Sequence, residues 1–315
     1  MNLSIPQPSS GESYRFTEIG QDDWDVFIDA WEEGFQRRLS QEVYRWIFNG
    51  HNRMFAALSG TNIAAGYCLY PMDAVIDGEV TQVLLCNNVF VLPEHQGKFL
   101  FSRLGRYALQ IASDNGYPLS YGIPNLNALA GHRRVGWAAQ RVEFLERPRQ
   151  IGTKPASVHW SHSLPREVLP ALEECSRRSA AKRRFSILKT QDFICWRYLS
   201  KPGVQSLFAT VWRERSVGAY AVCKYFPEKK CLHIIDIDGD DLEAIEEIVA
   251  AVDSVDLPFD KVNLWSSTVH RPIFEHSGFS LSPEANMLIL IRPLGLKGAV
   301  IEDGLNLVLA DNDVY

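Results

Sequence analysis

The chain has 315 residues, 46% of them hydrophobic and 22% charged, which suits a globular protein with a full core and enough length for two domains. Its formal net charge of −6 argues against a general nucleic-acid binder, whose affinity rests on a basic surface, but leaves room for a local basic pocket that takes an anionic small molecule. The six cysteines (Cys68, Cys86, Cys175, Cys195, Cys223, Cys231) are scattered without C-x-x-C or Cys/His ligand spacing, so neither a metal site nor a disulfide framework is expected.

In chain order, residues 1–13 are rich in Ser, Pro and Gly and read as a flexible tail. Their sequence, "MNLSIPQPSSGES", lacks the basic and apolar segments of a signal peptide, and no apolar run is long enough to span a bilayer. The expectation is therefore a cytoplasmic protein with no membrane partner. From Tyr14 the pattern predicts a strand over "YRFTEI" and a helix over "DDWDVFIDAWEEGF", with Asp22 as N-cap. A second helix over "SQEVYRWIF" follows, then strands "RMFAALSG" and "NIAAGYCLYP" joined by a Ser-Gly-Thr-Asn turn. A longer strand, "VTQVLLCNNVFVLP", leads into "VLPEHQGKFLFSRL", which reads as strand end, proline turn, short loop and helix start. "FLFSRLGRYALQIASDNG" is an amphipathic helix stopped by Gly116. "YPLSYGIP" is a buried strand, "NALAGHRRVG" a short helix and "AAQRVEFLERP" a closing strand.

Beyond Pro148, "RQIGTKPA" reads as a linker, after which the pattern restarts with a strand "SVHWSHS" and a helix "REVLPALEECSRRSAAKRR". Residues 42–67 align with 192–220 as a Trp-bearing helix, a break, a strand, a turn and a strand ending in Gly-(Ala)-Tyr. "YGIPNLNALAGHRRVGW" aligns likewise with "VNLWSSTVHRPIFEHSGF". This is read as an internal duplication. The expected organisation is a domain over 14–150, a second over 151–295 and an extension over 296–315. Trp46 and Trp196 recur at matched places and are read as packing residues.

Two features bear on chemistry. A strand that feeds a helix through a tight turn leaves free amides at the helix N-terminus, where they and the helix dipole favour an anion. Glycines would let the backbone approach that anion, yet Phe99 and Phe101 stand in those places. Asn87 and Asn88 interrupt an apolar strand, so at least one amide should face the core or a cleft, either as a substrate contact or as part of a bulge.

The order of strand, "PEHQGKFLFSRL", helix, strand and "NxxxxxxHxxxGW" resembles the GNAT superfamily of acyl-CoA-dependent N-acyltransferases. That family's loop reads Gln/Arg-x-x-Gly-x-Gly/Ala and its amides hold the pyrophosphate of coenzyme A. On this chain Gln96 takes the first position, Gly97 and Lys98 follow, and Phe99 and Phe101 occupy the two small-residue positions. Asn125, His132, Gly136 and Trp137 match the spacing of the family's last helix, with His132 in place of its usual Tyr. The resemblance implies an α/β fold of two tandem GNAT-like domains, each a mixed, largely antiparallel sheet with splayed central strands flanked by helices. The second copy lacks the loop, since "GDDLEAIEEIVAAV" places Asp240, Asp241, Glu243, Glu246 and Glu247 where pyrophosphate would sit.

By the same resemblance, acetyl-CoA or a longer acyl-CoA is the co-substrate and its acyl arm lies between the splayed strands. Amides around Val89–Val91 then face the thioester carbonyl. Val91, Gln96, Gly97, Lys98, Phe99, Phe101 and Asn125 are the expected cofactor contacts. Asn87 is the expected acceptor contact, and Asn88, Tyr121 and His132 are the catalytic candidates. The ordinary imidazole pKa of about 6.5 suits His132 for protonating the departing thiolate, against a solvent-facing place beside Arg133 and Arg134. Tyr121 reads equally as a packed strand aromatic. His95, Arg103 and Arg106 read as phosphate contacts or surface residues. "DIDGDD" (236–241) lacks the spacing of a calcium loop and reads as a turn with a helix cap. The expected function is N-acyl transfer to a small-molecule amine, such as an amino group on a nucleotide-linked sugar, with self-association into a homo-oligomer left open. The competing readings are a non-catalytic GNAT-fold binding protein that lost CoA through Phe99, and an acyltransferase for peptide or aminoacyl acceptors.

Overall fold

The structure is a computed structural model that describes residues 13–151, 155–265, 269–295 and 306–311. The predicted tail, but for Ser13, and most of the C-terminal extension lie outside the described residues. The chain divides into two compact units, one of Met1–Pro71, Leu84–Ala138 and Arg292–Gly295, the other of Met72–Val83, Ala139–Ile291 and Leu296–Tyr315. Each is a mixed sheet flanked by helices. No helix among the described residues is long and apolar enough to cross a membrane.

In the first unit β1 (Tyr14–Ile19) pairs antiparallel with β2 (Arg53–Ser59), from Tyr14 opposite Ser59 to Ile19 opposite Met54. Between them run α1 (Trp24–Phe35) and α2 (Gln41–Ile47). Asp22 does not cap α1 as expected. It lies in a 3-10 turn over Gln21–Asp23, and the capping position, Asp23, makes no side-chain cap bond. Ser40 does cap α2, accepting from the Val43 amide at 3.3 Å. β3 (Asn62–Ile76) turns back on β2 through Gly60 at φ +63° and continues into β4 (Glu79–Val91). The β3–β4 turn is Asp77-Gly78 with φ +49° and +87°. Such an Asp-Gly pair joins hairpin strands, and β3 accordingly runs on past Pro71, where the sequence pattern ends it. The hairpin tip, residues 72–83, belongs to the second unit.

A 3-10 turn at Pro93–His95 connects β4 to α3 (Leu100–Asp114), followed by β5 (Leu119–Gly122) and α4 (Leu126–Val135). The sheet order in this unit is β1-β2-β3-β4-β5. One core packs α1 and α2 on the sheet through Phe27, Trp31, Phe48, Met54 and Phe90. Phe90 fits only because positions 34 and 66 are glycine: a Cβ on Gly66 would fall 2.2 Å from its ring and one on Gly34 2.8 Å.

The second unit contains β6 (Ala138–Pro148, from Ala139), β7 (Val158–Ser161), α5 (Leu169–Ala180) and β8 (Phe185–Ile187). α6 (Gln191–Ile194) follows, continued by a π-turn over Cys195–Leu199, then β9 (Ser206–Arg213), β10 (Ser216–Phe226) and β11 (Cys231–Gly239). The remaining elements are α7 (Leu242–Ala251), β12 (Lys261–Trp265), α8 (Arg271–His276) and β13 (Ser280–Pro293). The order is β13-β6-β12-β11-β10-β9-β7, while β8 pairs with the end of β3 from Ala74 opposite Ile187 to Ile76 opposite Phe185. Its core runs through Leu232, Ile234, Ile245, Ile248, Val249 and Phe274. Asp241 caps α7 by accepting from the Ala244 amide at 3.2 Å, the turn with a cap expected of "DIDGDD".

Candidate active site

The strand-to-helix loop of the first unit is built by its own hydrogen bonds. The Leu92 amide donates to Ala64 O at 3.0 Å, and the His95 and Gln96 amides close the turn on Leu92 O and Pro93 O. The Gln96 side chain folds back, donating from Nε2 to Val91 O at 3.3 Å. Gly97 follows at φ +78° and Phe99 at φ +58°, ψ 20°. An L-residue in that left-handed region costs about 1–2 kcal/mol, yet Phe99 adopts the backbone that a glycine would. Phe99 is 62% exposed. The loop is thus held in a glycine-like shape with an outward-facing aromatic.

Phe99 is the N-cap of α3 and has no side-chain acceptor to offer. The first-turn amides of Leu100, Phe101 and Ser102 have no partner within the helix, as at any helix start. They form the positive end of a 15-residue helix. Cations gather around it. The Lys98 ammonium lies 5.9 Å from the Tyr14 ring centre, and the Arg103 guanidinium 5.1 Å from that of Phe16. Arg134 lies 5.9 Å from the Phe99 ring, and Arg106 donates to Arg134 O at 2.8 Å. His95 is tied to Tyr14, Nδ1 to Oη at 2.9 Å.

β4 pairs parallel with β5 through Leu84–Ser120, Leu85–Tyr121 and Cys86–Gly122, and β5 then ends. Asn87–Val91 of β4 run on past it. A Cβ on Gly122 would fall 2.8 Å from Cys86 O, so this last step requires glycine. Immediately beyond, Asn88 takes φ +49° while the strand runs on to Val91. Its Oδ1 accepts from Trp31 Nε1 at 3.1 Å. Asn88 Nδ2 and Asn87 Oδ1 are buried without a hydrogen-bond partner among the described residues. Tyr121 is fully buried in β5.

His132 does not face solvent beside Arg133 and Arg134. It is 6% exposed and its ring meets Phe101, Trp137 and Tyr67 edge-on, at centroid distances of 4.9, 5.2 and 6.3 Å. Burial lowers its pKa to about 4, so the ring is neutral at pH 7. An imidazolium poised near neutrality, the basis of the proton-donor expectation, is not supported by this nest. Phe101 also points inward. Its ring lies on Gly131, where a Cβ would fall 2.5 Å away, so only its backbone amide is turned to the loop's chemistry. Asn125 caps α4, accepting from the Ala128 amide at 2.8 Å, and Gly136 closes the helix at φ +92°.

The structure therefore brings Val91, Gln96, Gly97, Lys98 and Phe99 together in one loop. It places His132 and Phe101 in an adjacent aromatic nest, and it leaves Asn125 as a helix cap. Sequence reasoning missed Trp31 and Tyr67 as neighbours of these groups, and Arg292, which donates to Gly136 O at 3.2 Å. Tyr67 carried only the signal of strand alternation, which assigns a face but not a neighbour.

A strand that outruns its parallel partner, a left-handed residue at Asn88 within it and a helix N-terminus behind a glycine-like loop thus sit in a mixed α/β fold. Residues 15–139 match the family model of the Acetyltransferase (GNAT) domain. No curated protein matches the chain. Among solved structures, a conserved protein of unknown function from Enterococcus faecalis V583, called a probable N-acyltransferase, superposes with a TM-score of 0.72 at 13% identity, covering 91% of this chain and 74% of that one. A GCN5-related N-acetyltransferase from Anabaena variabilis ATCC 29413 gives 0.70 at 16% identity, covering 90% and 73%. Saccharomyces cerevisiae N-myristoyltransferase with bound myristoyl-CoA gives 0.58 at 10% identity, covering 92% and 81%. At these identities the likeness is one of fold.

Proposed function

We propose that the protein is an acyl-CoA-dependent N-acyltransferase, with its site in the first unit and acetyl-CoA or a longer acyl-CoA as donor. The observation that carries this reading is Phe99 at φ +58°, because it keeps the loop in a glycine-like path despite the bulky side chain. The first-turn amides of α3 are then left for the donor's pyrophosphate, with Lys98, Arg103 and Arg134 as nearby cations. The acyl arm follows Asn87–Val91 of β4 beyond the end of β5, where strand amides can meet the thioester oxygen. Asn88, held by Trp31, and Asn87 orient the acceptor amine through their buried amide groups. An Asn cannot serve as a base, so the amine has to arrive neutral.

The acceptor is an amine. An amino group on a nucleotide-linked sugar is the first class to test and a peptide or aminoacyl amine the second. We further propose that the second unit is a duplicated, degenerate copy that does not take the donor. Titration calorimetry with acetyl-CoA tests the core of the reading: binding of one molecule per chain is expected, and no heat at high micromolar protein overturns it. Thiol release with a panel of amines then separates the acceptor classes.

A further inference from the structure

Gln36, Asp77, Phe99, Glu214 and Lys230 take positive φ at turns or helix ends, but Asn88 takes it inside a strand. A left-handed residue in a ladder marks a bulge, where backbone groups are released from strand pairing. Asparagine tolerates that backbone better than most residues without preferring it, so the position needs a holder. The holder is on α1. Trp31 Nε1 donates to Asn88 Oδ1 at 3.1 Å, and an indole N–H only donates, so the contact fixes both the place and the flip of the amide.

Trp31 is itself immobilised. It is 4% exposed and packs against Phe35 and Phe48, at centroid distances of 4.7 and 6.2 Å. One turn further along α1, Gly34 receives the Phe90 ring, where a Cβ would fall 2.8 Å away. α1 therefore grips β4 at Asn88 and again at Phe90, on either side of Val89. The gripped stretch is the one that β4 leaves open: Asn87, Asn88 and Val89 are half-buried, while residues 84–86 before them and Phe90 after them are buried. It also begins where pairing with β5 stops, after Cys86 and Gly122.

We infer that Trp31 is a positioning residue for acyl transfer: by latching Asn88 it keeps that residue left-handed and so aims the β4 amides at the thioester oxygen. The inference rests on the acyl-transfer reading above, in which those amides meet that oxygen. Trp31 touches no reacting atom and acts through the backbone of its partner. When the amine nitrogen adds to the acyl carbon, the carbonyl oxygen gains negative charge, and a donor already in place needs no reorganisation at that moment. Without the latch, residue 88 relaxes toward extended backbone, which swings the following peptide and takes its amide off that line.

The test uses the full-length chain and reads kcat and acetyl-CoA affinity separately. Asn88→Gly and Asn88→Ala both lose the side-chain amide, and with it any contact that amide makes to the acceptor, but only glycine takes the left-handed backbone unaided. Asn88→Gly should keep kcat within about tenfold of wild type, the scale of one lost hydrogen bond. Asn88→Ala should fall about tenfold further, the equivalent of the left-handed penalty. Trp31→Phe should lower kcat about 30-fold, short of the roughly 100-fold that a misplacement of about 1 Å costs. Its acetyl-CoA affinity should stay within about twofold, because the loop is untouched. In the Asn88→Gly background the same change should cost less than about threefold, since no amide is left to hold.

Equal kcat in Asn88→Gly and Asn88→Ala, or no turnover in Asn88→Gly, overturns the inference. So do equal losses from Trp31→Phe in the two backgrounds, which would leave Trp31 as a packing residue. If Trp31→Phe does not fold, the glycine–alanine pair decides by itself. If wild type neither binds acetyl-CoA nor releases thiol, the acyl-transfer reading has failed and this role with it, and that shows before any variant is made.

Discussion

β4 and β11 are both strands that run past a parallel neighbour. β4 leaves β5 after Cys86–Gly122, and β11 leaves β12 after His233–Asn263. Each has an irregularity just beyond: Asn88 at φ +49° in β4, and the register shift between β10 and β11 opposite Ile234 and Asp236. The two continuations differ. Past the first departure come two asparagine amides and a helix whose N-cap, Phe99, cannot satisfy the first turn. Past the second come buried carboxylates with their own partners. Asp236 accepts from Tyr198, and Asp238 accepts from Ser179 at 2.6 Å and pairs with Arg183 at 2.7 Å. The next helix, α7, is capped by Asp241. Residues 306–311 also pack here, with Asp311 in a buried ion pair with Lys189 and Ala310 O accepting from Arg197. A helix N-terminus stays available to an outside anion only if the chain does not supply the anion itself, and α7 supplies it.

The comparison breaks most visibly at Lys189. Replacing it with Met takes the ammonium from the buried Asp311, which keeps the Val308 amide at 2.9 Å, and breaking such an ion pair typically costs about 3–5 kcal/mol. Equilibrium denaturation of Lys189→Met should show a loss of that order, and Lys189→Met/Asp311→Leu should recover most of it, since an apolar pair replaces an ionic one at little cost. Full stability in the single variant would mean that this polar filling does not hold the second unit together.

A smaller effect separates the two regions by pH. Burial, opposed by Lys189, raises Asp236 from the usual carboxylate value to about 7. Between about pH 4 and 7 the folded chain therefore holds a proton that the unfolded chain has lost, so this group makes stability fall as pH rises through that window and stay level above it. His132 in the first unit acts with the opposite sign. Its pKa is lowered to about 4, so the unfolded chain binds the extra proton between about pH 4 and 6.5 and stability rises with pH there. The buried His270 of the second unit, also lowered to about 4, adds to that rise. The wild-type curve mixes these slopes, but the difference between wild type and Asp236→Asn isolates the carboxylate. That difference should favour wild type least at pH 7 and progressively more as pH falls to 4. A difference that does not change with pH would remove the buried proton from the account.

Much of this contrast is legible in the sequence, and its limits have physical causes. The loop's place is legible because strand, proline turn and amphipathic helix are local patterns, and Asn125 and Gly136 mark the ends of α4 as cap residues do. The acidic start of α7 is legible for the same reason. His132 is not: its neighbours Arg133 and Arg134 suggest a wet face, and the rings of Phe101, Trp137 and Tyr67 bury it. The neighbours of Tyr67 are no more legible, since Cys86, His132 and Trp137 are distant in sequence and only packing brings them to it. Nor does local propensity indicate that Phe99 would keep a left-handed backbone, since tertiary packing alone overrides that preference.

Phe99 gives the smallest effect and the sharpest one. If the loop holds a glycine's path because the surrounding packing imposes it, Phe99→Gly removes about 1–2 kcal/mol of backbone strain. The glycine also makes the unfolded chain looser, which takes back about 0.5–1 kcal/mol. The expected net gain is about 0.5–1 kcal/mol, a rise of a few degrees at most in melting temperature. Acetyl-CoA affinity should stay within about threefold of wild type, since the amides of α3 keep their direction and the exposed ring is not what holds the pyrophosphate. An affinity gain of tenfold or more would show instead that the phenyl ring obstructs the donor, and would move the first unit toward the second as a site closed by its own chain.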